Sequence, residues 1–174
     1  MLRPPTPVLV AALAIALAAC AAEPPPAEQP SFYRSMASPT ATLDAEAAAS
    51  MISGYRANNG LASIAVDPVL MVLAREQAQA MAARDKVDSD AKGAFAKRMK
   101  AAGYDAKVSV ENISAGYHTL AEAFSGWRDS PPHRANMLLG GATRIGIAAV
   151  YTPRSKYKVY WALILAQPDD KRGS

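Results

Sequence analysis

The 174-residue chain contains one cysteine, Cys20, so no internal disulfide can form. It also lacks runs of like charge. The net charge is +4, and its cations are scattered. Lys97, Arg98 and Lys100 form one small group, and Arg154, Lys156 and Lys158 form another. Both read as solvated faces, and no nucleic-acid partner is expected. No Gly-x-Ser-x-Gly element marks a nucleophilic serine, and no Lys-Ser/Thr follows a glycine loop in Walker order. No internal repeat is visible.

What is present suits one domain. Apolar residues make up 51% of the chain and charged residues 20%, enough for a real core and too little charge for a disordered polymer. The first segment reads as a targeting signal over residues 1–19. Arg3 supplies a positive start, and residues 8–17 form an apolar stretch of ten, too short to span a bilayer. It ends in Leu17-Ala18-Ala19-Cys20, a bacterial lipobox pattern that makes Cys20 the expected lipidation site and the membrane a partner. Each acyl chain would contribute about 0.8 kcal/mol per buried methylene. Plain cleavage near Ala19, leaving Cys20 a free thiol, is the alternative. Ala21, rather than the Asp that signals inner-membrane retention, points to an outer-membrane lipoprotein facing the periplasm. Residues 20–42 hold Pro24, Pro25, Pro26, Pro30 and Pro39 and read as an extended tether. The domain is expected over residues 43–167, with a polar tail over 168–174.

Within the domain, Ala48, Met51, Ile52 and Tyr55 follow helical spacing, and Asn58-Asn59-Gly60 stops that helix. Asp67-Pro68 is a cap followed by proline in the first turn, and Leu70, Leu73, Ala74, Gln77 and Met81 trace the inward stripe of a long helix. A short helix over residues 95–102 is ended by Gly103. Val108 and Val110 alternate with polar residues, predicting a strand whose end presents Glu111. Thr119 to Glu122 spells a capping box for a helix reaching Trp127, and Ser130-Pro131 caps a helix holding His133. Ile145, Ile147, Ala149 and Tyr151 alternate, as do Tyr157, Val159, Trp161, Leu163 and Leu165, with a five-residue hairpin loop over 152–156. Trp127, Trp161 and Tyr160 read as core, and His118 as an exposed loop residue.

Glu111-Asn112-Ile113 and Ser130-Pro131-Pro132-His133-Arg134-Ala135-Asn136 resemble the signature of the CAP superfamily. It comprises cysteine-rich secretory proteins, antigen 5 and pathogenesis-related proteins, whose shared unit is the SCP domain; this chain is similar to the cysteine-poor bacterial branch. The resemblance implies an α+β fold, a three-layer α-β-α sandwich with a mostly antiparallel sheet. It also implies a cleft that, in fuller members, gathers two His and two acidic residues. Glu111 and His133 match two of those positions. Ser89 falls where the second His is expected, within Asp88-Ser89-Asp90, and Ser130 falls where the second acid would be.

Zinc wants three or four N, O or S ligands. Glu111 and His133 give two, so no metal or other cofactor is expected, although Asp88 or Asp90 could lend a carboxylate to a harder divalent ion. The cleft is expected to hold Glu111 and His133, lined by Asp88, Ser89, Asp90, Asn112, Ser130 and Asn136. Three functions fit. The favoured one is a binding module for envelope lipid, peptidoglycan or an envelope protein. The second is a hydrolase in which His133 acts as base, Glu111 orients it, and Ser89, Ser114 or Ser130 attacks. The third is a purely structural envelope protein, in which these polar groups bond loop backbone.

Overall fold

The computed structural model describes residues 29–169. Cys20, the leader and tail residues 170–174 lie outside that range. Five helices and four strands follow one another as α1 (Ala45–Ala57), β1 (Ala65–Val66), α2 (Pro68–Arg84), α3 (Phe95–Ala101), β2 (Ala106–Ala115), α4 (Leu120–Asp129), α5 (Pro131–Met137), β3 (Arg144–Tyr151) and β4 (Val159–Pro168). The sheet order is β1-β3-β4-β2. β4 runs antiparallel to both neighbours, and β1 adds two residues parallel to β3.

β4 is buried along eight consecutive residues because helices cover both faces. Its odd-numbered residues, Val159, Trp161, Leu163 and Leu165, pack with Ile52 of α1, Leu120 and Trp127 of α4, and Met137 of α5. Its even-numbered residues, Ala162, Ile164 and Ala166, pack with Leu70, Leu73, Ala74 and Ala78 of α2 and Met99 of α3. The second face carries small side chains because α2 sits close to the sheet. A Cβ added at Gly146 would lie 2.1 Å from the Leu70 carbonyl carbon, so only glycine allows that approach.

Local chemistry fixes the helix starts. The Asp67 carboxylate accepts from Val69 N and Leu70 N, its other oxygen accepts from the Tyr104 hydroxyl, and Pro68 opens α2. The Thr119–Glu122 capping box is formed in full. Ser130 precedes α5, but its side chain makes no cap hydrogen bond; Pro131 and Pro132 leave it no backbone N–H at the first two helical positions.

Three expectations shift. β2 continues past Glu111 to Ala115, because Ile113 and Ala115 still pair with β4, so Glu111 stands mid-strand. β4 begins at Val159, and the turn before it runs over residues 152–158 with Lys158 left-handed at φ 66°. The packed chain begins ahead of residue 43: Ser31–Tyr33 form a 3-10 turn, Met36 is buried, and Met36 N donates to His118 O at 2.6 Å. The end of the expected tether therefore packs on the domain through Met36, an apolar anchor that proline content alone does not reveal, while Pro30 and Pro39 stay exposed.

Candidate functional site

Alternation along β2 decides which side chains can meet. Glu111 shares a face with Ile113, which packs toward α2, and Asn112 points to the opposite face. The two neighbours of the Glu-Asn element therefore serve different assemblies.

On the α2–α3 side, both carboxylate oxygens of Glu111 accept from Arg98 Nη2 at 2.8 Å. Both side chains are 6% exposed. Burial pushes the Glu111 carboxyl above its usual range; Arg98 opposes that rise, and the nearby Asp90 charge adds to it. Arg98 Nε also donates to Gly93 O at 2.9 Å, and Nη1 is buried with no hydrogen-bond partner among the described residues. The 85–93 loop hangs on a buried amide: Gln77 Nε2 donates to Asp88 O and Ser89 O, and Gln77 Oε1 accepts from Lys92 N. Asp88 accepts from Asp90 N and pairs with Lys86, and the first of these is the main cause of its lowered pKa. Ser89 and Asp90 are exposed.

On the other side, Asn112 Nδ2 donates to the His133 carbonyl at 2.9 Å, and its Oδ1 accepts from Asn136 Nδ2 at 2.8 Å. Asn136 Nδ2 also reaches the Glu111 main-chain carbonyl at 3.2 Å. These bonds clip α5 along the free edge of β2 and cover backbone groups that would otherwise invite pairing. His133 is half-buried, and desolvation lowers its pKa.

The expected cleft pair is therefore not joined. Among the described residues, no hydrogen bond or ion pair links the His133 ring to the Glu111 carboxylate, or to Ser89, Ser114 or Ser130. The reason is the mid-strand position of Glu111 and the guanidinium that occupies it. Ser114 Oγ is buried without a hydrogen-bond partner among the described residues. The structure places Glu111, Asp90 and the 85–93 loop together, and Asn112, Asn136 and the His133 backbone together.

A model of the cysteine-rich secretory protein (CAP) family matches residues 49–165. The chain belongs to that family. It is 31% identical over 102 residues to YkwD of Bacillus subtilis, described as uncharacterised, of which it spans 40%. Its fold is similar to a Bacillus anthracis extracellular protein containing an SCP domain, with TM-score 0.61 and 19% identity, over 70% of this chain and 39% of that one. An outer surface protein of Borrelia burgdorferi shares it with TM-score 0.63 and 18% identity, over 72% and 92% of the two chains. The three-layer α+β architecture is that of these SCP domains.

Among the described residues no three His, Cys, Asp or Glu side chains converge, and the Glu111 oxygens already hold a cation. Sequence reasoning missed two buried arginines. Arg98 lies on the inward face of α3 with Phe95 and Met99, at spacings of three and one residues, and that stripe was the available signal. Arg56 follows Ile52 by one helical turn and is fully buried. It donates to the carbonyls of Ala62, Met137, Leu139 and Ala142 at 2.9–3.0 Å. The partial negative charge at the α5 C-terminus helps to hold that cation. Burial nonetheless lowers its pKa.

Proposed function

We propose that the protein is an exported, lipid-anchored CAP module that binds an anionic envelope lipid without catalysing a reaction. The observation that carries this reading is a groove of about 630 Å³ between α2 and α3. Val69, Val72, Leu73, Ala101 and Ala102 form its apolar walls, and Lys92 and Lys97 give it a cationic rim against Glu76, the Arg98 charge being paired with Glu111. Val69 and Val72 are exposed. An acyl chain matches the walls, and a phosphate or carboxylate head matches the rim. Export and anchoring are supported by the lipobox ending at Cys20. The extracellular and outer-surface descriptions of the structural relatives also favour export. A binding role is favoured because the Glu111 carboxylate is committed to Arg98 rather than to orienting His133.

The test is a titration of the full chain with a short-chain phosphatidylglycerol below its micelle concentration, read by methyl NMR. Val72 and Leu73 should shift saturably, and Lys97→Glu should weaken binding on the order of tenfold. Equal binding of the phosphatidylcholine analogue, or shifts elsewhere, would contradict the reading. For the anchor, Cys20→Ser should abolish incorporation of labelled palmitate and release the protein from membranes.

A further inference from the structure

β1 covers only the first part of the outer edge of β3. It pairs at Ala65↔Arg144 and Val66↔Ile145, then leaves the sheet into α2. Asp67 N donates to Ile145 O at 2.9 Å on this edge. Two residues on, Ile147 N finds only the Met71 sulfur, at 3.3 Å, a weak acceptor. By the period of the strand, the backbone N–H and C=O of Ala149 and Tyr151 face the same way. Among the described residues no strand lies beside residues 147–151 on this outer edge; β4 pairs them on the other.

A cavity of about 310 Å³ adjoins this bare stretch. It is bounded by residues 147–151, by Arg75 and Gln79 of α2, and by the strap around Ser38 and Thr42. Arg75 is the only charged side chain around it, and it is exposed. No hydrogen bond or ion pair holds its guanidinium among the described residues. Ile147 and Ala148 are buried, so the open part is residues 149–151, about 10 Å of backbone. A lipid tail cannot satisfy that row of donors and acceptors. An extended peptide can, in the manner of strand addition to a sheet edge.

We infer that this edge is a peptide-binding site, distinct from the α2–α3 groove. It pairs about three residues of a short extended segment as an added strand beside β3, with a carboxylate of the segment paired to Arg75. The open stretch of β3 sets the length, and the lone cation sets the preference for an acidic side chain or free C-terminus. No residue is shared with the groove assigned to lipid, so either site can fail without the other.

The test uses the full chain in detergent and a five-residue alternating threonine–valine peptide ending in a free carboxylate. Amide NMR should show saturable shifts along residues 147–151. Hydrogen exchange at Ala149 and Tyr151 should slow on the order of tenfold at saturation. The C-terminal amide of the same peptide should bind on the order of tenfold more weakly. Arg75→Gln should erase that difference while leaving the fold intact, because its side chain is exposed. Equal affinity of acid and amide, protection confined to the α2–α3 groove, or undiminished binding of a peptide N-methylated at alternate residues would each overturn the assignment.

Discussion

Arg98→Met tests the assembly around Glu111 most directly. The substitution keeps a side chain of similar reach but removes both bonds to the Glu111 carboxylate and the bond to Gly93 O. The carboxylate is left buried without its counter-charge, at a cost of about 3–5 kcal/mol. The Gly93 bond accounts for roughly 1 kcal/mol of such a loss. Nη1 has no partner, so its removal offsets part of the cost by relieving a buried donor. The loss should depend on pH. Burial already raises the Glu111 pKa, and Arg98 supplies the opposing influences, so the variant pKa rises further. A carboxyl whose folded pKa exceeds its unfolded value binds a proton in the native state across that interval. Its stabilising contribution is full below the unfolded pKa of 4.5 and is lost as pH rises through the folded one. Urea unfolding should therefore show the full deficit near pH 7 and a smaller one near pH 5, on the order of half. The double variant Arg98→Met with Glu111→Leu should recover most of the lost stability. A deficit equal at both pH values would refute the reasoning, as would a double variant no more stable than Arg98→Met.

Other outcomes follow from the same geometry. The His133 ring should titrate by NMR below the ordinary 6.5, because burial disfavours its cation. Its stabilising effect is full above 6.5 and lost as pH falls toward the folded pKa; Glu111→Gln should leave that midpoint unmoved, and a clear shift would restore the expected pair. Arg56→Met strands four carbonyls and should lower stability by about 3 kcal/mol or more in thermal melts. Gly146→Ala should leave little folded protein by circular dichroism, because its new methyl would meet backbone rather than a movable side chain.

Much of this architecture was legible wherever a local rule sufficed. Asp67-Pro68 and Thr119–Glu122 announced their helices because capping is a contact within one turn. The inward stripe of α2 was readable to the residue: Leu70, Leu73, Ala74, Gln77 and Met81 are all buried. β1 was missed because two residues carry no period, and it exists only by pairing with a strand nearly eighty residues later. The site was harder. The sequence presents Glu111 and His133 as motif letters, but which face each takes depends on the register of β2 against β4. Arg98 looked like one of several surface cations, and its burial shows only once a carboxylate from another element sits opposite. Asn112 and Asn136 were named as lining residues, and they do meet, but to hold α5 to a strand edge.

The order of the sheet carries one more implication. β4 is the last strand of the described residues, yet it lies between β3 and β2, which do not pair with each other. A polypeptide that emerges from its N-terminus cannot zip up this sheet progressively. Its two halves wait, unstitched, until β4 emerges and slots between them. A nascent chain halted before Val159 should consequently stay open to proteases throughout, however much of it has already emerged.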